Sequence, residues 1–155
     1  MKKIGILVLA LIVAFLVVSC KQEINYKLKI PSWAQGKWNV SGTVTVVGEG
    51  NLTITGTYNV TSDNIYGSIT YVETHTVVAV DWKTDLEGHK DIMEDFNQSS
   101  SGNEYSFTYS AKSGSDKVKQ ILKFIKDGSN MTYTEHCYIN GLTAVTISGT
   151  LSPAN

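Results

Sequence analysis

Residues 38–60, WNVSGTVTVVGEGNLTITGTYNV, decide the fold of this 155-residue chain. Apolar residues and glycines alternate with threonine, serine and asparagine on both sides of the Gly48-Glu49-Gly50 turn. Alternation with a period of two residues is typical of strands that bury one face, and a glycine-rich turn between two such runs predicts a hairpin. A slip of one residue would expose every apolar side chain, so the register is strongly specified.

The same alternation recurs along the chain, in residues 65–71, 75–82, 105–111, 118–125, 131–139 and 145–151. Turn residues such as Asp127-Gly128 and Asn140-Gly141 separate the runs. Because no helix is long enough to connect parallel strands, we expect an all-β domain of about eight antiparallel strands in up-and-down order. Such a sheet either closes into a barrel or splits into a sandwich.

Four glycines favour the barrel over the sandwich. Gly42, Gly56, Gly67 and Gly149 all fall in the middle of a strand, on the apolar face. A missing side chain at these positions permits the sharp coiling of a small barrel and leaves space inside it.

The segment from Lys83 to Gly102 is charged and loses the alternation. Leu86, Ile92, Met93 and Phe96 are spaced to form one side of a short helix within Lys83 to Gln98. Serines 99–101 and Gly102 are expected to end this helix as a loop.

The front of the chain has the three parts of a secretory signal: basic Lys2 and Lys3, the apolar run from Ile4 to Val18, and the small residue Ser19. The run is shorter than the roughly 20 apolar residues that span a bilayer. We therefore expect residues 1–19 to be a signal peptide, residues 20–35 a tether and residues 36–155 the domain. From Lys21 to Ile30 the chain shows no clear period, and Pro31 follows.

The border Val17-Val18-Ser19-Cys20 resembles the lipobox of bacterial lipoproteins. The resemblance implies that the Cys20 thiol receives a diacylglyceryl group and becomes the new N-terminus, with acyl chains such as palmitate holding the protein to a membrane. Thiolates are strong nucleophiles, which suits alkylation by a lipid donor. An ordinary cleaved signal or an uncleaved anchor helix are the alternatives. Lys21 replaces the aspartate that retains such proteins in the inner membrane of some bacteria, so the outer membrane or cell surface is expected.

Charge and cysteine content exclude several classes of partner and chemistry. Removing Lys2 and Lys3 from the 13 lysines leaves 11 against 14 acidic residues, a charge near −3, so nucleic acid is not an expected partner. The chain has no arginine, which removes bidentate recognition of phosphate or carboxylate groups. Once Cys20 is acylated, Cys137 has no partner for a disulfide within the chain.

Gly36-Lys37-Trp38, at the start of the first strand, resembles the Gly-x-Trp signature of the lipocalins, which belong to the calycins. The resemblance implies an eight-stranded up-and-down barrel whose closed end is plugged by Trp38. Two features depart from that family. The arginine that stacks on this tryptophan has no counterpart, and the chain stops at Ser152-Pro153-Ala154-Asn155 without a terminal helix, although Lys83 to Gln98 could supply a substitute. The expected class is thus a lipocalin-like barrel.

No catalytic or metal-binding pattern is found in the sequence. In Glu135-His136-Cys137, adjacent strand residues point to opposite faces, so His136 cannot share a tetrahedral site with the other two. His89, near Asp91, Glu94 and Asp95, is better explained as part of a polar surface. Neither phosphate loops nor nucleophile elbows occur. We therefore expect a non-enzymatic protein with no catalytic residue, metal or cofactor.

The candidate binding residues face the expected interior. Glu135 has the same parity as Met131, Tyr133 and Cys137, and a buried carboxylate is costly unless it is paired. It lies either in water at an open barrel mouth or against a polar group of a ligand. An interior rich in tyrosine is either a hydrogen-bonded core or a lined pocket. The candidate ligand-binding set is Trp38, Tyr58, Tyr71, Tyr105, Tyr109, Tyr133 and Glu135.

These features predict a membrane-anchored protein that binds a small, largely apolar ligand at the bacterial cell envelope. The alternative is a solid barrel whose loops, above all residues 83–102, bind a protein or a host molecule. The sequence identifies neither the ligand nor a protein partner.

Overall fold

The structure is a computed structural model that describes residues 24–154. The signal segment 1–19 and Cys20 lie outside the described residues. After a 3₁₀ turn at Ser32–Ala34 the chain forms nine strands and one helix, α1. The strands are β1 (Gly36–Val46), β2 (Gly50–Val60), β3 (Ile65–Tyr71), β4 (Thr76–Asp81), β5 (Met93–Ser100), β6 (Glu104–Ser113), β7 (Asp116–Asp127), β8 (Asn130–Ile139) and β9 (Leu142–Pro153). Helix α1 spans Trp82–His89 between β4 and β5.

All nine strands belong to one antiparallel sheet, in the order β4-β3-β2-β1-β9-β8-β7-β6-β5. Strands that follow one another in sequence are paired, except for β4 and β5, and the first strand also pairs with the last. The two edge strands are therefore β4 and β5. The expectation of an all-β, antiparallel domain with consecutive pairing is confirmed.

The alternation in residues 38–60 translates directly into buried and exposed faces. Trp38 lies opposite Tyr58 and Val40 opposite Gly56 in the β1–β2 pair. Trp38, Val40 and Tyr58 are buried, while the intervening residues of β1, such as Asn39, are exposed. The Asn140-Gly141 turn has positive φ at both residues, 52° and 82°, as a tight hairpin turn requires.

The four mid-strand glycines lie where neighbouring strands approach too closely for a side chain. A Cβ atom at Gly42 would lie 2.3 Å from the main-chain oxygen of Ser148, and one at Gly149 would lie 2.4 Å from that of Ser41. At Gly56 and Gly67 the corresponding distances, to main-chain oxygens of β3 and β2, are 2.1 and 2.0 Å. Real Cβ atoms do not tolerate such contacts, so β1–β9 and β2–β3 can take this path only with glycine.

The sheet bends so strongly that strands far apart in its order meet through their side chains. Tyr58 of β2 and Tyr133 of β8 are separated by β1 and β9, yet their rings form an edge-to-face pair with centroids 5.8 Å apart. Buried apolar residues of every strand except β4 form one hydrophobic cluster, against which the partly buried Val78 and Val80 of β4 pack. The core therefore lies on a single, concave face of the sheet.

The interpretation of residues 83–102 was correct only in part. Helix α1 ends at His89, and Met93 to Ser100, expected as helix and loop, form strand β5 instead. The reason is the neighbouring strand: β6 offers a complete hydrogen-bonding edge, on which Met93 pairs with Ala111 and Ser100 with Tyr105. The segment is thus part of the core, with Leu86, Ile92 and Met93 buried, and is not a free loop.

The N-terminal strap, residues 24–30, packs on the domain, so the expectation of a free tether is wrong for these residues. Leu28 and Ile30 are each 4 % exposed and belong to the core. The side-chain amide of Gln98 in β5 accepts from the main-chain N–H of Lys29 (2.8 Å) and donates to the carbonyl of Lys27 (2.9 Å). The strap therefore runs beside β5, at the side where the sheet has its two unpaired edges.

Candidate functional site

One end of the interior, here called the tryptophan end, is densely packed. The indole Nε1 of Trp38 donates to the carbonyl of Ala34 at 3.0 Å, and both residues are buried. Further inside, Phe124 of β7 stacks between Tyr105 and Tyr133, with ring centroids 6.5 and 5.7 Å away. The turns at this end are residues 61–64, 101–103 and 128–129. The side chains at this end therefore fill the interior with aromatic rings.

The opposite end, here called the cavity end, contains a cavity of about 240 Å³. It lies between the last residues of α1 and the ends of β1, β6, β7, β8 and β9 that are joined by turns 47–49, 114–115 and 140–141. Its wall is mainly apolar and includes Val46, Ile92, Ala111, Val118, Ile139 and Val145. Alternation places these side chains on the inner face, where little else fills the space between them.

A chain of hydrogen-bonded polar side chains forms the base of the cavity. Tyr109 of β6, which lines the cavity, donates its hydroxyl to the side-chain oxygen of Gln120 in β7. The Gln120 amide in turn donates to Glu135 Oε1 in β8 at 3.4 Å, and the Tyr133 hydroxyl donates to Glu135 Oε2 at 2.5 Å. We call Tyr109, Gln120, Tyr133 and Glu135 the polar base.

Burial shifts the pKa values of the ionisable groups in and around the polar base. It raises the pKa of Glu135 to about 7, against the opposing effect of the hydrogen bond from Tyr133 and with a small further rise from the charge of Asp85. Burial also raises the pKa of Asp85 in α1. The pKa of the Tyr133 hydroxyl is raised well above its ordinary value by burial and by the nearby carboxylate, so it remains a hydrogen-bond donor. Near neutral pH the polar base therefore holds one carboxyl group, that of Glu135, which accepts hydrogen bonds when ionised and can donate one when protonated.

His89 and Cys137 complete the polar part of the wall. His89 Nδ1 lies 2.6 Å from the main-chain oxygen of Asp85, so this nitrogen carries the proton and donates it. Its ring lies over that of Tyr109, with centroids 5.9 Å apart. Burial raises the pKa of the Cys137 thiol to about 11, which leaves it a weakly polar part of the wall.

His136, next in sequence to Cys137, points to the other face and contacts Thr146 Oγ1 at 3.2 Å. This agrees with the expectation from strand parity. Within residues 24–154, no three His, Cys, Asp or Glu side chains are arranged to hold a metal ion.

The structure distributes the seven candidate ligand-binding residues over three places. Tyr109 lines the cavity, and Tyr133 and Glu135 reach it through the polar base. Trp38, Tyr58 and Tyr105 are buried core residues that do not line the cavity, and the half-buried Tyr71 packs against the same core.

Gln120 is a candidate site residue that sequence reasoning missed. It is 3 % exposed and connects the cavity wall to Glu135. Its position in β7 shares the parity of Val118, Leu122 and Phe124, so the alternation already placed an amide on the inner face. That parity was the available signal.

Comparisons with protein-family models, curated proteins and solved structures give no match. Between residues 24 and 154, neither the helix nor the 3₁₀ turn is long and apolar enough to cross a membrane. The function has to be argued from this chain's own residues.

Proposed function

We propose that this protein is a membrane-anchored, non-enzymatic binding protein that holds a small, largely apolar molecule in the cavity between β1, α1 and β6 to β9. The single observation that carries the proposal is the combination of an apolar wall with a buried polar base at one end of an otherwise packed interior. Sites for small ligands commonly join a mostly apolar lining to a few polar groups that fix orientation.

The coiled sheet is best described, on this proposal, as a lipocalin-like barrel. The N-terminal strap and helix α1 would occupy the gap between β4 and β5, and Trp38 would close the far end. The glycine contacts, the β1–β9 pairing and the buried Trp38 support this description. The absence of arginine from the chain separates it from lipocalins proper.

The polar base orients the ligand. Apolar atoms gain by leaving water for the wall formed by Val118, Ile139 and Val145. A ligand hydroxyl or amine would approach the hydrogen-bonded pair of Tyr109 and Gln120, behind which lies the carboxyl group of Glu135. Since this carboxyl group is the only charged group in the base at high pH, cationic or neutral head groups are favoured over anionic ones.

The size of the cavity restricts the ligand. With a volume of about 240 Å³, the cavity suits a small molecule, such as an alcohol with a short alkyl chain. Burying one methylene group is worth about 0.8 kcal/mol, which is about a fourfold gain in affinity. In a series from 1-butanol to 1-decanol, affinity should rise about fourfold per carbon until the cavity is filled and then level off.

The ligand experiment uses residues 20–155 with Cys20→Ser, which needs no detergent. Val118→Phe fills the cavity, and Lys119→Phe, one residue further along β7 on its exposed face, is the matched control. Titration calorimetry with 1-octanol should show binding to the parent and to the control, and none to Val118→Phe. Equal binding by all three proteins, or no binding by any, contradicts the proposal.

Anchoring is proposed from the sequence border at Cys20, which would carry the acyl chains at the outer membrane or surface of a bacterial cell. Two acyl chains hold a protein stably because each buried methylene contributes about 0.8 kcal/mol. Labelling of cells with radioactive palmitate should mark the parent and not Cys20→Ser, which should leave the membrane fraction. Palmitate-free parent protein would rule out acylation.

The alternative function, recognition of a protein by residues 83–102, has no specific observation in its favour. These residues form α1 and β5, whose Leu86, Ile92 and Met93 are buried in the core. Deleting these residues would remove an edge strand, so a deletion variant could not separate the two functions.

A further inference from the structure

We propose that the cavity end of the domain rests on the lipid bilayer, so that the cavity opens toward the membrane and exchanges its ligand with it. The inference rests on the proposed acylation of Cys20 and adds the direction in which the domain faces. Two independent observations carry it: the place where the N-terminal strap leaves the domain, and the position of the exposed apolar side chains.

The N-terminal strap runs from the cavity end to the tryptophan end. At its start, the Tyr26 hydroxyl donates to Glu87 near the last residue of α1, and α1 ends at His89 in the cavity wall. At its finish, the main-chain N–H of Ile30 donates to the carbonyl of Ser62, in a turn of the tryptophan end (2.9 Å). Toward residue 20, the chain therefore leaves the domain at the cavity end.

The connection to the anchor is short. Three residues lie between Cys20 and Ile24, so the two are four Cα–Cα steps apart, and at no more than about 3.5 Å per step an extended chain spans about 14 Å. From Ile24 to Ile30, at the tryptophan end, the strap takes six such steps, or at most about 21 Å. Residue 20 can therefore reach a bilayer that touches the cavity end, and its four steps are fewer than the six that the strap needs to cross to the tryptophan end.

The exposed apolar side chains concentrate at the same end. Of the five large apolar side chains that are exposed among the described residues, Tyr66 alone lies toward the other end. We call the other four the apolar rim: Val47, Val72, Val77 and Leu142, exposed by 65, 41, 65 and 76 %. Val47 also lines the cavity, and its main-chain N–H donates to Ala144 beside Leu142.

The apolar rim is better suited to contact with a bilayer than to contact with a water-soluble partner whose surface carries charge of one sign. A contiguous exposed apolar surface marks contact with a membrane or a protein, and the anchor on residue 20 would hold a membrane permanently within reach. Acidic and basic side chains are mixed around the rim, as in the Lys117–Glu94 ion pair (3.0 Å). We therefore expect insertion of apolar side chains, with little dependence on lipid charge or salt.

The orientation also explains how an apolar ligand would enter. Such a molecule partitions into the bilayer rather than water, and a cavity that opens on the lipid side takes it without a passage through water. Val47 would then belong both to the rim in contact with lipid and to the wall in contact with ligand.

The test places a fluorescent label at each end of the acylated protein in phosphatidylcholine vesicles. Cys137→Ala removes the native thiol, and NBD is attached at Val47→Cys in the rim or at Ser129→Cys in the β7–β8 turn of the tryptophan end, which is also exposed. Leu142→Cys provides a second rim position. Lipids with a spin label high on the acyl chain should quench both rim labels several-fold more than the label at position 129.

The relative quenching at the two ends decides the orientation of the domain on the bilayer. Equal quenching at the two ends, or stronger quenching at position 129, overturns the orientation while leaving the anchor and the ligand site intact. Mass spectrometry of the same sample reports the acyl group on Cys20. If that group is missing, the proposed anchoring fails first, and the orientation fails with it.

Discussion

The tryptophan end and the cavity end are built from the same strands but differ in how the inner side chains fill the space. At the tryptophan end, Phe124 is fully buried among aromatic rings. At the cavity end, Val118, six residues earlier on the same face of β7, is only half-buried and borders open space. The comparison suggests that one end supplies stability and leaves the other free to bind.

The largest difference between the ends should appear on truncating these two residues. Phe124→Ala is expected to lower the free energy of unfolding by about 3 to 5 kcal/mol, the usual cost of removing a buried phenyl ring. Val118→Ala should cost about 1 kcal/mol, since its side chain already borders a cavity. Urea denaturation of both variants measures the two values. Similar losses would show that the two ends contribute equally to stability.

The coiling that brings distant strands of the sheet into contact depends on the mid-strand glycines. Gly42→Ala places a methyl group where Ser148 O lies 2.3 Å away, and the strands must separate to admit it. We expect a loss of about 3 kcal/mol in stability. Gly88→Ala in α1, where nothing lies within 4 Å, is the control and should stabilise by about 0.5 to 1 kcal/mol. Thermal unfolding that ranks the two variants equally would contradict the role given to Gly42.

The polar base gives the cavity end a pH dependence between about pH 4.5 and 7. Because the pKa of Glu135 is raised to about 7 in the folded protein, the native state holds a proton that the unfolded state releases near pH 4.5. Stability should therefore fall as pH rises from about 4.5 to 7, by about 2 to 3 kcal/mol, and then stay level. Denaturation series between pH 4 and 9 would measure this.

Glu135→Gln should remove most of this slope, because the amide has no proton to lose. The exposed residue Glu49, changed to Gln, serves as the control and should keep the slope. A slope that survives in Glu135→Gln would mean that another group titrates.

The smallest effect is expected at the apolar rim. Val47→Ser and Leu142→Ser change side chains that are mostly exposed, so the free energy of unfolding should move by no more than about 0.5 kcal/mol. Differential scanning calorimetry checks this. A substantial loss would show that the rim contributes to the core of the domain.

How much the sequence predicts depends on how regular each segment is. The two strands of the first hairpin follow the period of two so strictly that their buried faces and register are predictable. The four mid-strand glycines correctly indicate that the sheet is tightly coiled. Strand β5 was missed because Glu94 and Asp95 interrupt the alternation where the pairing shifts register, between Met93 and Asp95. The structure of that segment depends on its pairing with β6, which the sequence does not show.

The N-terminal strap was missed for a different reason. Ile24, Tyr26, Leu28 and Ile30 do alternate with polar residues, but the lysines between them suggested a solvated tether. The position and volume of the cavity were not predictable, since they depend on the space left between side chains from six elements. The parity of a residue in its strand indicates whether its side chain points inward. It does not show whether the inward side chains touch one another or leave space between them.

The most direct test of ligand binding at the cavity end is an NMR titration of the methyl groups with 1-octanol, using residues 20–155 with Cys20→Ser. We expect the methyl signals of Val118, Ile139 and Val145 to shift, while those of Val40 and Leu151, buried away from the cavity, stay in place. Saturable shifts confined to the first group would support binding in the cavity. No shift at saturating 1-octanol, or equal shifts in both groups, would contradict it.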